Sequence, residues 1–413
     1  MVQLYTRVSR SLALPISTMP RFIIPLADKL DSSIGGMPAN FTRNSTATYI
    51  DVNGLVQTAG IDVPRFQNGR YLCEPAATNL IKNSQNLSSW INDWGGGVTL
   101  ISGLDTIAGL PAFRLIQIGS VGGAMYGGDD EKLSLTAGTK YYASLFIKNL
   151  NSVQCSVAFW DIVKSTMNTL TISWTGGVPS TYSNPTTITE ITYTKLAGTG
   201  EYLVSFAYTV PTGSSTYRFL LFPEVSIVST NGIIVTGVQL ATTLTSYIPT
   251  TTTPVTREAD ALHYDVGDAI TQGQGSLYCE FFGVSSVSAT WRRVLTLTDG
   301  TNTNKVLIAL TPAGVGRGEI ITGGASEASI NSFFIVPQQL NKVALVYRNN
   351  STTFYTNGVD LTPDTSCSIP VNLSKLYIGI SEVNTYSISG EIGNIKYFKE
   401  VLTPEEAIKL TTV

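Results

Sequence analysis

A threonine-rich segment divides this chain into two long regions, and both regions carry the two-residue alternation of β-strands. Half of the residues from 241 to 256 are threonine. At 413 residues the chain is too long for one sandwich and suits two or three domains of ordinary size. No helical pattern connects the strand-like runs, so we predict an all-β chain with two tandem antiparallel sandwiches.

The first region shows a series of strand-like runs between residues 80 and 248. They are rich in Thr, Tyr, Val and Ile, and clusters of Gly, Pro or Asn separate them. The runs are 98–102, 111–118, 139–149, 153–161, 168–174, 187–195, 201–210, 216–222 and 232–240. This spacing predicts a jelly-roll sandwich. Before it, Asn53-Gly54 and Asn68-Gly69 predict hairpin turns, because these pairs readily adopt positive φ.

The second region, residues 260–413, repeats the pattern and ends in the one good helix signal of the sequence. Its alternating runs are 277–284, 291–298, 305–310, 320–321, 341–347, 352–356, 375–380 and 390–397. After them Thr403 can cap a helix, Pro404 suits the first helical position and Glu406 completes a capping box. We therefore predict a second sandwich that is closed by one short C-terminal helix.

Three segments carry motifs in a recognisable order. Residues 41–84 contain R-x-S-T-A-T-Y, N-G, P-R-F and E-P-x-x-T-N-L, residues 237–260 run from an apolar strand to T-R-E-A-D, and residues 389–412 contain a final strand and helix. Together they resemble bacteriophage virion proteins in which a carbohydrate-binding-module-like jelly roll precedes a concanavalin A-like (laminin G-like) domain.

The resemblance implies four parts. They are an anchoring or oligomerisation arm at 1–40, the jelly roll with its N-terminal hairpin at 41–248, a linker at 249–259 and the concanavalin A-like sandwich at 260–413. It also implies a virion structural protein, either a tail fibre, a tail-tip protein or a head fibre or decoration protein. Such a protein would attach to host surface glycans, and phage fibres of this kind are commonly homotrimers.

Residues 1–40 differ from the rest of the chain. Their many apolar side chains are interrupted by Pro15, Pro20 and Pro25, which rules out a long helix or a central strand. Two interpretations remain open at this point. The arm either packs on its own domain or contacts another virion protein or a neighbouring subunit.

Composition argues against nucleic-acid and membrane partners. The net charge is −3 and no block of Lys or Arg is present, whereas duplex binding depends on clustered cations. No stretch approaches the roughly 20 apolar residues of a membrane span. Neither is a signal peptide apparent, so we expect assembly in bacterial cytoplasm and residence in the virion. The four separated cysteines are expected to be reduced and buried.

Catalytic chemistry has little support in the sequence. His263 is the only histidine, and its context is that of an ordinary strand, so a Ser-His-Asp triad or a zinc site is hard to build. Glycan cleavage needs only two carboxylates, yet the E-x-D-x-E strand of concanavalin A-like glucanases is missing. We expect no enzyme. A phage polysaccharide depolymerase with carboxylates from distant loops remains the alternative, and a bacterial surface adhesin is the second.

Ligand recognition is expected on loops, because sandwich strands direct their inward side chains to the core. In the first sandwich, Asp93 and Trp94 precede three glycines, and Tyr126 and Asp129 form another loop with an aromatic and acids. An aromatic face can stack on a sugar while polar groups bind its hydroxyls. Trp90, close by, is expected in the core.

In the second sandwich, Asp299 and Asn302 offer oxygen ligands at alternating positions. They are candidates for ligand binding, although a hairpin turn explains Asp299-Gly300 equally well. No metal or other cofactor is required by the sequence. Calcium is the one ion that such loops could hold, because it prefers carboxylate and carbonyl oxygens.

Overall fold

A computed structural model gives the conformation of most of the chain, namely residues 18–94, 97–118, 123–127, 132–225, 230–282 and 290–413, with only the backbone of residues 93 and 94. These residues form two antiparallel β-sandwiches with one α-helix at the C-terminal end, so the predicted fold class is confirmed. No helix in these ranges has the length and hydropathy of a membrane span.

Short strands dominate the N-terminal segment. They are β1 (Phe22–Ile24), β2 (Ala39–Thr42), β3 (Ala47–Ile50), β4 (Val56–Ala59), β5 (Phe66–Gln67), β6 (Arg70–Cys73) and β7 (Ala77–Asn79). Strands β3 and β4 pair with each other around the predicted Asn53-Gly54 turn, in which Gly54 has a φ of +75°. Asn68 and Gly69 also have positive φ between β5 and β6, so the sequence located both turns.

The first sandwich follows a short 3-10 helix, Leu87–Ser89. Its strands are β8 (Ile91–Trp94), β9 (Val98–Ile107), β10 (Leu110–Gln117), β11 (Ala124–Tyr126), β12 (Leu133–Ser134), β13 (Lys140–Asn149), β14 (Gln154–Asp161), β15 (Thr166–Thr175), β16 (Val178–Ser183), β17 (Ile188–Lys195), β18 (Glu201–Thr209), β19 (Thr216–Phe222) and β20 (Gly232–Ala241). One sheet has the order β17-β18-β13-β20-β10-β9 and the other β16-β15-β14-β19-β11-β8, with β12 also on β19.

The second sandwich contains another 3-10 turn, Gly267–Ala269. Its strands are β21 (Val255–Arg257), β22 (Ala261–Asp265), β23 (Gln274–Phe282), β24 (Arg292–Thr298), β25 (Lys305–Leu310), β26 (Gly316–Thr322), β27 (Ala325–Ser332), β28 (Asn341–Arg348), β29 (Ser351–Thr356), β30 (Val359–Asp360), β31 (Lys375–Ile378) and β32 (Gly390–Phe398), and helix α1 spans Pro404–Thr411. Strand β21 lies apart from the two large sheets.

The sheets of the second sandwich also contain N-terminal strands. One sheet has the order β30-β29-β28-β23-β32-β6-β5, with β1 also on β32, and the other has the order β2-β22-β31-β24-β25-β26-β27. The sequence groups residues 41–73 with the jelly roll. The structure differs for β2, β5 and β6, whereas β3 and β4 form a separate two-stranded sheet in which Ile50 and Val56 pack against first-sandwich residues such as Ile107 and Phe146. The reason is edge pairing, because β2 forms a ladder with β22 and β6 forms one with β32.

The first sandwich is consequently inserted between two parts of the second. The chain passes into the first sandwich along β7 and returns to the second sandwich along β21. These two strands pair with each other. The predicted linker, residues 249–259, thus includes a strand. Asn79 of β7 fastens the two ends, because its side chain donates to the carbonyls of Val238 and Ile248 and accepts from the amides of Ile81 and Leu240.

The described part of the N-terminal arm packs on its own chain. Phe22, Ile24 and Leu26 are buried in the core of the second sandwich, and the Phe22 ring stacks on Tyr397 at a centroid distance of 5.3 Å. Of the two interpretations of the arm, packing on its own domain therefore holds for residues 18–40. The expected anchoring role now concerns residues 1–17, which lie outside the described residues.

The C-terminal helix begins as predicted. The Thr403 hydroxyl accepts from the amide of Glu406, and the Glu406 carboxylate accepts in return from the Thr403 amide. The helix buries Ala407 and Leu410 against the second sandwich, with Tyr278 in the same apolar cluster. All four cysteines of the chain are buried free thiols.

Candidate functional site

The residues predicted to bind ligand in the first sandwich lie in different structural environments or outside the described residues. Asp93 and Trp94 end strand β8, where Trp94 pairs with Ala124, and only their backbone is described. Asp129 lies outside the described residues. Trp90 is buried in the first core, and its indole nitrogen donates to a backbone carbonyl at 3.2 Å. Its expected core position is therefore observed.

Tyr126 is not on a loop, and that part of the prediction is wrong. It ends strand β11 and is buried among apolar side chains such as Leu220 and Phe222. The Arg218 guanidinium lies 4.6 Å from the centre of its ring. Pairing of β11 with both β8 and β19 places this residue inside a sheet, so it does not form the loop that the sequence predicts.

Asp299 and Asn302 serve the turn between β24 and β25. The Asp299 carboxylate accepts from the amide and hydroxyl of Thr301 and from the Asn304 amide group. Burial raises the pKa of Asp299, but these hydrogen bonds outweigh it and hold the pKa below its ordinary value. Asn302 accepts from Lys305. Across the described residues, no three His, Cys, Asp or Glu side chains are grouped as metal ligands would be.

His263 lies within strand β22, as expected for an ordinary strand residue. Its ring stacks on Tyr377 at a centroid distance of 5.1 Å. Burial lowers the pKa of His263, and the nearby Lys375 lowers it further. The imidazole is therefore neutral at pH 7, and it packs against a phenol ring.

A concave surface lies between the two sandwiches in the described part of the chain, and we call it the cleft. Its volume is about 1250 Å³. One wall is the face of the six-stranded sheet that points away from the first core. The other wall comes from the second sandwich and includes residues 384–387. Single-ligand pockets usually enclose roughly 300–1,000 Å³, so the cleft has room for several linked sugar rings.

A row of hydroxyl groups crosses the first wall. Thr192, Ser205 and Ser144 are register partners on adjacent strands, and the hydroxyls of Thr192 and Ser205 are 2.6 Å apart. Tyr142 lies two residues from Ser144 and lines the same wall. We call Thr192, Ser205 and Ser144 the hydroxyl row. Hydroxyls beside an aromatic side chain match the hydroxyls and apolar ring faces of saccharides.

Arg292 supplies a cation to the opposite wall. Its side chain is buried and donates to the carbonyl of Thr311 at 3.3 Å. Burial lowers the pKa of Arg292 to about 10, so the guanidinium stays charged at neutral pH. Tyr386 lines the same wall and is partly exposed. The second wall can therefore offer charged and aromatic contacts to a molecule in the cleft.

A buried ion cluster lies at the joint between the sandwiches. It consists of Arg43, Arg65, Glu74, Arg257 and Asp260, all buried. Asp260 pairs with Arg43 at 2.9 Å and with Arg65 at 2.5 Å, and Arg65 also pairs with Glu74 at 2.7 Å. Burial raises the pKa of Glu74, but Arg257, Arg65 and hydrogen bonds from Ser246 outweigh it and lower the pKa to about 2.

The sequence did not predict the cleft, but it does contain motifs that mark the buried ion cluster beside the cleft. The hydroxyl row comes from three separate strands, and no local pattern marks it. The motifs R-x-S-T-A-T-Y, P-R-F, E-P and T-R-E-A-D do stand out in the sequence. All five residues of the buried ion cluster come from these motifs, and Glu74 of this cluster also lines the cleft.

Comparison with known protein families bears on the second sandwich. Residues 276–407 match the concanavalin A-like lectin/glucanases superfamily. The match runs from β23 into helix α1 and leaves the first sandwich uncovered. The matched residues lie within the region, 260–413, that the sequence predicts to be concanavalin A-like. A comparison with curated protein sequences found no match.

Solved structures resemble single parts of the chain. The CBM40 of the Ruminococcus gnavus IT-sialidase, bound to α2,3-sialyllactose, has 18% identity and a TM-score of 0.32 over 37% of this chain and 92% of that one. Domain 4 of the arabinanase AbnA from Geobacillus stearothermophilus has 15% identity and a TM-score of 0.30 over 37% and 73%. The SAP-like pentraxin of Limulus polyphemus has 15% and 0.28 over 33% and 69%. At these values the structures add nothing about function.

Proposed function

We propose that this chain is a non-enzymatic structural protein of a bacteriophage virion that binds host surface glycans in the cleft between its two sandwiches. The observation that carries the glycan part is the cleft itself. Its first wall combines the hydroxyl row with Tyr142, and its second wall contributes Arg292 and Tyr386. Polar hydrogen-bonding groups next to aromatic rings are the chemistry that carbohydrate recognition uses.

The virion part of the proposal is supported by the motifs that resemble phage proteins. These motifs supply the buried ion cluster, so they have a structural role that a shared architecture would require. The tail fibre, the tail tip and the head fibre or decoration protein all remain compatible with the chain. Immunogold labelling of particles tests this part. Labelled particles support it, and antibody that labels only the bacterial surface supports the adhesin alternative.

The glycan part is tested with Tyr142→Ala and with Ser144→Phe, which fills the cleft beside the hydroxyl row. Both variants should reduce binding of the full chain to purified host capsule or lipopolysaccharide about fivefold, since one sugar–aromatic contact contributes on the order of 1 kcal/mol. Tyr182→Ala is the matched control, because Tyr182 is exposed on β16 outside the cleft. Equal binding by all four proteins would contradict the cleft as the binding site.

A polysaccharide depolymerase is the second candidate, and one observation favours it. Glu391 lines the cleft, and burial raises its pKa despite hydrogen bonds from Asn68, Arg70 and Gln67. A raised pKa is what a general acid needs. Its partner would be Glu74, the other acidic residue on the cleft wall, but Arg65 and Ser246 occupy that carboxylate. This favours binding without cleavage.

The two candidates are separated by incubating the protein with host polysaccharide and measuring reducing ends. The binding protein should release none. Release that disappears in Glu391→Gln would establish the depolymerase and overturn the non-enzymatic proposal.

A further inference from the structure

Two arginines and a tryptophan meet on the outer face of the second sandwich, next to the cleft. Arg293 and Arg317 are both register partners of Ala309, so they lie on the same face of three adjacent strands. The guanidinium carbons of Arg317 and Arg293 lie 4.7 and 5.9 Å from the centre of the Trp291 ring. We call Trp291, Arg293 and Arg317 the arginine–tryptophan cluster.

Two acids lie near the cluster, and neither pairs with Arg293. Glu382 pairs with Lys305 at 2.8 Å, and Glu319 lies 4.0 Å from Arg317. Among the described residues, no carboxylate lies within ion-pair distance of Arg293. The cluster with its neighbours, three cations and two carboxylates, therefore keeps one positive charge that no direct partner neutralises.

Arg293 is also short of hydrogen bonds. It is 9% exposed, and within the described residues its Nε and Nη1 atoms have no acceptor. The ring of Tyr386 covers it at 5.7 Å. An unsatisfied buried guanidinium costs free energy, and such a group in a native structure calls for an explanation, of which a bound anion is one. Burial lowers the pKa of Arg293, which is the direction expected for a cation without a matched anion.

We propose that the arginine–tryptophan cluster binds the carboxylate of an acidic sugar residue, with the Trp291 ring against the sugar. The inference rests on the proposed function and names its substrate class, a carboxylated polysaccharide. Guanidinium groups bind carboxylates in bidentate geometry, and this favours arginine over lysine at such a site. Arg317 and Trp291 remain partly exposed, and Tyr386 also lines the cleft. A polysaccharide in the cleft can therefore extend to this cluster.

The experiment compares carboxylated polymers with their neutral methyl esters. Full-length protein is titrated calorimetrically with polygalacturonate, alginate and hyaluronate, and with the esterified form of each. At least one acid should bind, and its ester should bind about tenfold or more weakly, because a lost charge-assisted hydrogen bond contributes at least about 1.4 kcal/mol. Arg317→Gln should produce the same loss. Arg348→Gln, an exposed arginine outside the cluster, should not.

A second variant distinguishes binding from a purely structural role. Arg293→Met removes the unsatisfied charge and keeps similar volume, so it should abolish the preference for the acid without lowering the melting temperature. A lower melting temperature with the preference intact assigns Arg293 to structure alone and overturns the proposal. Equal binding of acid and ester, or no binding of any of the acids, overturns it as well.

The proposed function is judged separately by Tyr142→Ala on host glycan. If that variant loses binding while esters and acids bind alike, the cleft binds glycans and the arginine–tryptophan cluster does not select for acids.

Discussion

Asp260 accepts hydrogen bonds from Arg43 and Arg65 at the joint between the sandwiches, and none of the three side chains is exposed. Removing one partner of a buried ion pair leaves the other charge uncompensated, which typically costs about 3–5 kcal/mol. Asp260→Asn should lower the free energy of unfolding by this amount in urea titrations. The matched control is Asp265→Asn, whose exposed pair with Lys375 spans 3.7 Å and should contribute less than about 1 kcal/mol.

The lowered pKa of Glu74 predicts how the stability of the fold depends on pH. Its pKa in the folded chain is about 2, below the ordinary value of 4.5. A carboxyl group with a depressed pKa stabilises the fold fully above its ordinary pKa, and this contribution is lost as the pH falls towards the folded value. Unfolding midpoints should therefore fall more steeply between about pH 4.5 and pH 2 in the native protein than in Glu74→Gln. Glu405→Gln, an exposed control, should keep the native slope.

At the scale of elements, the helix cap gives a local test. Thr403 and Glu406 form the reciprocal cap of helix α1, and loss of an N-cap hydroxyl typically costs about 1 kcal/mol. Thr403→Ala should destabilise the chain by that amount in thermal unfolding. The exposed Thr362→Ala should have a smaller effect. Equal effects would indicate that the cap contributes nothing beyond the average surface threonine.

Local patterns predicted the elements better than their partners. Alternation and turn residues gave strands such as β13 and β18, and the capping box gave α1, because these signals act within a few residues. The pairing of β2 with β22 joins residues more than two hundred positions apart, and no local pattern encodes such a contact. The hydroxyl row could not be predicted for the same reason, because its residues come from three separate strands. Tyr126 was predicted to lie on a loop because the glycines and acidic residues that follow it are typical of loops.

For the whole molecule, the division of the N-terminal arm yields a deletion test. Removing residues 1–36 deletes Phe22, Ile24 and Leu26 from the second core, so this variant should fail to fold or should melt well below the full chain. Removing residues 1–17 leaves that core intact and should leave the melting temperature unchanged. Residues 1–17 are also where we expect subunit contacts, so the shorter deletion should convert a trimer to monomers in light scattering.

That deletion test has a clear contrary outcome. A full-length chain that is already monomeric in light scattering would contradict the expected trimer. If residues 1–36 can be removed without effect on melting, the arm does not belong to the second core.

The neighbouring positions of β7 and β21 have a consequence for how such chains diversify. The first sandwich departs from its host and returns to it through two strands that lie side by side, while the host keeps its own strands from before and after the insertion. A recombination event that exchanges the codons between these two crossings would replace the whole first sandwich with another domain. The recipient would keep the hydrogen-bonded sheets of its second sandwich and the residues of the buried ion cluster, so the exchange would not require the rest of the chain to refold.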